Sequence, residues 1–133
     1  MKSMNCAQAI LETFAPSCGM EVKAARRIAA AFAGGMGRGS ECGAVTGAFM
    51  VIGMKYGKTK SKDPEAAEKT FIKSAEFSKE FKARHSQVKC SALLGTNMGT
   101  PKGISKAERM GYFTSRCPNY VASAVAILDK LLD

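Results

Sequence analysis

The sequence predicts an all-α fold, a compact bundle of about five helices joined by short loops, in a single domain over residues 1–133. Three observations carry that expectation. Apolar residues recur at i, i+3, i+4 and i+7 along most of the chain, as on the buried face of a helix. Capping residues and prolines stand where such runs begin, and glycines where they end. No segment alternates polar and apolar residues convincingly as a strand would, and no internal repeat is present. The length agrees: a chain of 133 residues can bury about two-thirds of its unfolded surface and build one core without disulfides.

Ser3 can cap a first helix whose Ala7, Ile10, Leu11 and Phe14 share one face. Ala15-Pro16-Ser17-Cys18-Gly19 ends it. A second helix is expected from about Met20 to Ala33, with Val22, Ala25, Ala29, Phe32 and Met36 as its apolar stripe. Gly34-Gly35-Met36-Gly37-Arg38-Gly39 is a loop open to conformations that other residues avoid. A third helix follows from about Glu41 to Tyr56, with Ser40 as its expected cap. It is apolar nearly all round, which marks it as the central element.

Lys55 to Lys62 is a basic linker, and Asp63-Pro64-Glu65 is a strong helix start. That fourth helix should reach about His85. Thr70, Phe71, Phe77 and Phe81 are expected inward, with Glu65–Lys69 and Glu80–Arg84 pairs on the exposed side. Residues 90–94 suit a short helix, and Gly95 to Gly103 a loop. Ser105 and Glu108 have the spacing of a capping box, so a brief helix can start there. The last helix begins at Cys117-Pro118 and carries Val121, Ala124, Val125, Leu128, Leu131 and Leu132 on one face.

Composition narrows the functional classes. The chain is 46% hydrophobic and 23% charged, which excludes a disordered tail and a collagen-like rod. No apolar run approaches the roughly 20 residues that span a bilayer, so no membrane insertion is expected. Gln8, Glu12 and Thr13 interrupt any signal-peptide core, and the expected compartment is the cytoplasm. The net charge of +9 is concentrated in residues 21–62, which hold eight bases against two acids. Such a surface suits nucleic acid, an anionic small molecule or an acidic protein, and equally serves solubility. Without tryptophan or a basic–aromatic stripe, nucleic-acid binding would rest on charge alone and is not expected.

The five cysteines are Cys6, Cys18, Cys42, Cys90 and Cys117. An odd number in a reducing compartment argues against a complete disulfide framework. No two lie within ten residues of each other, which excludes zinc knuckles, C-x-x-C pairs and haem attachment motifs. Yet four of them fall at or near expected helix starts. Cys6 lies in the first turn of the first helix and Cys42 in that of the third. Cys90 opens the short helix, unless Ser91 is its cap, and Cys117 precedes Pro118. Unpaired N–H groups and the positive dipole end at a helix start favour thiolate over thiol. The alternative is that each packs as a small hydrophobe. Gly43 and Gly47, four apart, leave one helix face bare enough for another helix or a bulky inorganic group to approach.

Taken in order, Asn5-Cys6-Ala7-Gln8-Ala9, Gly34-Gly35-Met36-Gly37-Arg38, Cys42-Gly43-Ala44-Val45-Thr46-Gly47, Cys90-Ser91-Ala92-Leu93-Leu94-Gly95 and Cys117 resemble one family. It is a family of redox-active proteins named for its cysteine pattern, C_GCAxxG_C_C. The likeness covers nearly the whole chain. It implies that Cys6, Cys42, Cys90 and Cys117 are the functional four, with Cys18 outside the pattern. Related domains fused to multihaem cytochromes imply an iron–sulfur cluster held by those cysteines, and allow a homodimer.

The expected function is therefore redox. Cys6, Cys42, Cys90 and Cys117 would bind an iron–sulfur cluster, 2Fe–2S by ligand count, for electron transfer. The chain is expected to be an electron carrier or redox module rather than a catalyst with its own substrate. Its partner would be another redox protein, and its basic surface would suit an acidic one. A metal-free protein cycling two cysteines through a disulfide, and a zinc- or copper-binding protein, are the alternatives. Three other signals count for less. The glycine loop fits neither nucleotide-binding template and is read as a device that lets Cys42 approach its partners. His85 reads as a surface or helix-end residue more readily than as a ligand, and Met36, Met50 and Met54 as core fill.

Overall fold

The computed structural model describes residues 4–133, in which every regular element is a helix and there is no strand. Ser3 lies outside the described residues. The cap of α1 (Cys6–Phe14) is Asn5. Its side chain accepts from the Gln8 N–H at 2.9 Å, while the Gln8 side chain accepts from the Asn5 N–H at 3.1 Å. This reciprocal pair satisfies two N–H groups that a helix start leaves unpaired.

α2 (Val22–Ala29) is shorter than its stripe suggested. The chain tightens into a 3₁₀ turn over Ala30–Phe32 and then enters the glycine run. Gly34, Gly35, Gly37 and Gly39 all have positive φ, and so does Met36 at 61°. Met36 is consequently off the helix stripe and 38% exposed, not core fill. Met50 and Met54 do pack against the core.

α3 (Gly43–Tyr56) is the central helix. Gly43, Ala44, Val45, Gly47, Ala48, Val51 and Ile52 are all buried, and Cys42, not Ser40, holds its cap position. α4 (Pro64–His85) starts as its sequence dictates, with Asp63 accepting from the Ala66 N–H at 3.2 Å. Phe77 and Phe81 are fully buried, but Phe71 is 74% exposed. It lies six residues from Phe77, about 120° round the helix, and so misses the core. The expected Glu65–Lys69 and Glu80–Arg84 pairs do not form. Lys69 instead reaches Asp133 at 3.2 Å and Glu80 pairs with Lys130. The last helix lies along α4, and it and the two residues after it supply the tertiary partners Lys130 and Asp133.

α5 (Cys90–Leu94) is the expected short helix. The brief helix expected at Ser105 is part of α6 (Pro101–Arg109), which starts earlier, inside the stretch read as loop, and a further short helix, α7 (Tyr112–Ser115), follows. α6 is capped by Thr100, which accepts from the Gly103 N–H at 3.1 Å, and not by Ser105. α8 (Cys117–Leu131) closes the bundle with Ala124, Ile127, Leu128 and Leu131 buried. The main core joins α1, α3, α4 and α8 through residues such as Ile10, Val45, Phe77 and Leu128. A second, smaller core gathers Cys90, Leu94, Met98, Ala107 and Cys117. No helix among the described residues is long and apolar enough to cross a membrane.

Candidate functional site

Three fastenings bring the helix starts together. The first joins α1 to α3. A Cβ added at Gly43 would stand 2.8 Å from the Ala7 nitrogen and 3.1 Å from the Cys6 Cβ. One added at Gly47 would stand 3.1 Å from the Ala7 Cα. Only glycine lets the helices approach so closely, and that approach sets Cys6 beside Cys42.

The second fastening joins α3 to α5. Glu41 and Lys89 form an isolated antiparallel bridge. The Cys42 N–H donates to the Val88 carbonyl at 2.7 Å, and the Cys90 N–H to the Ser40 carbonyl at 2.6 Å. The third joins α5 to α8. The Tyr120 hydroxyl donates to the Leu93 carbonyl at 2.8 Å, and Arg116 to the Leu94 carbonyl at 3.1 Å. These side chains satisfy carbonyls that the short α5 leaves unpaired at its end. The glycine loop packs over the same region. A Cβ at Gly39 would lie 1.9 Å from the Ser91 Oγ, so no other residue fits there without a shift.

The result is a cavity of about 730 Å³ lined by Cys6, Cys42, Cys90 and Cys117. All four sit at helix starts: Cys6, Cys90 and Cys117 as first helical residues, Cys42 as the cap residue of α3. Most of the other lining is apolar, including Phe32, Leu93, Leu94, Met98 and Phe113, with Asn5, Thr114 and Tyr120 as polar members. Among the described residues no charged residue and no histidine lines the cavity, so the soft donors described there are sulfur. Cys18 belongs to the turn Pro16–Cys18, packs on the main core and is not in the lining. His85 is not in the lining either. Its Nε2 lies 2.8 Å from the Ser123 Oγ, and its ring packs on Phe81 and Tyr120.

The thiols are not equivalent. Hydrogen bonding to Cys117 and to Cys42, together with burial, pushes the Cys6 pKa well above the ordinary thiol range. The Cys42 pKa is lowered, chiefly by the hydrogen bond with Cys6. The Ala44 and Val45 N–H groups at the start of α3 add to this, against the cost of burial. Cys117 is likewise lowered by Cys6, with burial opposing. Cys90 is pushed up to about 12 by burial and by the charges of Cys42 and Cys117. Cys6 thus gives up its proton less readily than Cys42 or Cys117, and the three titrations depend on one another. Among the described residues, no group of three or more Cys, His, Asp or Glu is set to hold a metal ion as the side chains stand.

Tyr120, Arg116 and Met98 were not singled out by the sequence. Tyr120 and Arg116 act on backbone carbonyls, which carry no sequence signal. Met98 is 2% exposed and lies in a glycine-flanked stretch that reads as loop.

No curated protein and no solved structure matches the chain. A family model does, over residues 4–131, under the description "Putative redox-active protein (C_GCAxxG_C_C)". That pattern writes its central element Gly-Cys-Ala-x-x-Gly, where residues 42–47 here read Cys-Gly-Ala-Val-Thr-Gly. With the match spanning nearly the whole chain, the protein belongs to this family of cysteine-patterned, redox-active proteins.

Proposed function

We propose that the protein transfers electrons through an iron–sulfur cluster, 2Fe–2S, held by Cys6, Cys42, Cys90 and Cys117. The observation that carries this reading is the lining of one apolar cavity by four thiols from four separate helices. The donor set fits such a cluster: four sulfurs suit iron, and no carboxylate or imidazole competes. When bound, the cluster would supply a one-electron couple. The chain's own residues would do the rest. The start of α3 offers N–H groups to the Cys42 sulfur, stabilising negative charge there. Leu93, Leu94, Met98 and Phe113 limit water around the sulfurs, and low polarity tunes a redox potential. An acidic redox protein is the partner that the basic surface suits.

A second reading rests on the contact of Cys6 with both Cys42 and Cys117. In a metal-free protein, two of these thiols would become one disulfide, releasing two protons and two electrons to an acceptor. One experiment separates the readings. Protein reconstituted without oxygen is assayed for iron and acid-labile sulfide, alongside Cys42→Ser and Cys18→Ser. Iron and sulfide in equal amounts in the parent and in Cys18→Ser, but not in Cys42→Ser, is expected. Helix content should persist in all three, because serine caps helix starts well but binds soft metals poorly. A parent that takes up neither iron nor sulfide, and loses two thiols on mild oxidation, would replace the cluster with the disulfide.

A further inference from the structure

α4 carries the most exposed large apolar residue among those described. Phe71 is 74% exposed and its neighbour Ile72 49%. Exposed positions continue along the helix at Glu65, Glu68, Ala75, Glu76, Lys79 and Lys82. Both ends of this face are charged, and in opposite senses. Lys69 and Lys73 are engaged by Asp133, and Glu80 by Lys130. Of the other charges, Glu65, Glu68 and Glu76 all precede Lys79, Lys82 and Arg84. None of these six forms an ion pair among the described residues. On the side that holds Ala75 the helix therefore presents Glu65 and Glu68, then Phe71, Ile72 and Ala75, then Lys79 and Lys82, with Glu76 at the edge and Arg84 on the other side.

We infer that this face of α4 is an interface between two copies of the chain, paired antiparallel about Ala75. In that arrangement Glu68 of one copy faces Lys82 of the other, twice, with Glu65 one turn beyond Glu68. Phe71 and Ile72 of each copy lie against Ala75, Ser78 and the Lys79 stem of the other, and the small Ala75 residues let the helices approach. Parallel pairing would set acid against acid and base against base, so the charge order selects one orientation. The charge distribution also selects this face over others. The chain holds 20 bases and 11 acids. Residues 63–85 hold five of each, which leaves fifteen bases against six acids elsewhere. α4 is the neutral element on which two copies of a strongly basic chain can meet with least mutual repulsion. The interface is two-fold and self-complementary, and no residue of α4 lines the thiol cavity, which stays open in each copy.

The test is sedimentation of the full chain in a non-thiol reductant, which removes disulfide-linked species. A dimer dissociating in about the micromolar range is expected. Phe71→Ser should weaken it about tenfold or more, as loss of a central aromatic contact does. The residue is exposed, so the fold should be unaffected, and circular dichroism checks that. Glu68→Lys and Lys82→Glu should each weaken the dimer, and the two combined should restore it to near the parent value. A parent that stays monomeric at millimolar concentration overturns the inference. So does a dimer indifferent to Phe71→Ser, or one that the charge exchange fails to restore.

Discussion

Three glycines of α3 face different surroundings, so the same substitution should have opposite effects along one helix. At Gly53 an added Cβ meets nothing within 4 Å. Gly53→Ala should then show only the propensity gain of about 0.5–1 kcal/mol. At Gly43 the Cβ would stand 2.8 Å from the Ala7 nitrogen, where ordinary contact begins at 3.4 Å. α1 must retreat by about 0.6 Å, and backbone yields less readily than a side-chain tip. Overpacking of this kind costs about 1–3 kcal/mol. For a chain of this length the unfolding entropy is on the order of 0.28 kcal/mol per kelvin, so each kcal/mol is about 3–4 °C. Gly53→Ala should raise the melting temperature by about 2–4 °C, and Gly43→Ala should lower it by about 4–11 °C. Gly47→Ala, with nearest contacts of 3.1 Å, should fall between them. Gly47→Leu should fall below Gly47→Ala, since a branched side chain has no room against Ala7 and Ile10. Melts followed by far-ultraviolet circular dichroism in reductant give the order. Gly43→Ala carries a second readout, because the same retreat pulls Cys6 from Cys42 and should lower iron uptake more than the fall in stability explains. If Gly43→Ala melts as high as Gly53→Ala, the close approach of α1 to α3 is not what positions Cys6.

The thiols of the reduced, metal-free protein should alkylate with distinct pH midpoints. By mass spectrometry Cys42 and Cys117 should level off at lower pH than Cys90, whose rate should climb to about pH 12; Cys90 levelling off first would contradict the burial argument. Burial, then the charge of Arg84, lowers the His85 pKa. The unfolded chain takes up that proton first as the pH falls. The His85 contribution is thus full above the ordinary histidine range and declines below it, through the folded value. Between about pH 7 and pH 5, His85→Gln should lose less melting temperature than the parent; an equal loss would remove His85 as the cause. Tyr120→Phe leaves the Leu93 carbonyl without its donor and should cost about 0.5–1.5 kcal/mol. Faster amide exchange in α5 should accompany it, and unchanged exchange would mean that Arg116 alone holds α5 to α8.

The all-helical class was legible because periodicity is a local property, and so were the starts that rest on one side chain. Asp63-Pro64 caps α4 as it reads. Thr100-Pro101 is the same signal and caps α6 in the same way, but Gly95, Gly99 and Gly103 made the stretch read as loop. Gly103 is there for packing: a Cβ would lie 1.8 Å from the Asn97 carbonyl oxygen. Phe71 shows the opposite error. Hydrophobicity placed it inside, whereas the helical angle fixed by Phe77 and Phe81 turns it out. The partners of Lys69 and Glu80 lie on the far end of the chain, and no local spacing indicates them.

The candidate site divides along the same line. That four cysteines begin helices is local, and the sequence shows it. That their helix starts meet depends on three fastenings, of which one has a sequence signature, the bare face made by Gly43 and Gly47. The others end on backbone groups: Cys42 on the Val88 carbonyl, Cys90 on that of Ser40, Tyr120 on that of Leu93, and Arg116 on that of Leu94. Every residue type supplies a carbonyl, so the acceptors leave no trace in the sequence. The donors look like any tyrosine or arginine at a helix start. The thiol pKa values follow from those fastenings, not from the cysteines alone. Cys42 and Cys117 are lowered because Cys6 is held against both, and Cys90 is raised because burial outweighs its helix start. A helix start favours thiolate by itself. Here the packing of the helices acts as well, raising Cys6 and Cys90 and lowering Cys42 and Cys117 although all four stand at helix starts.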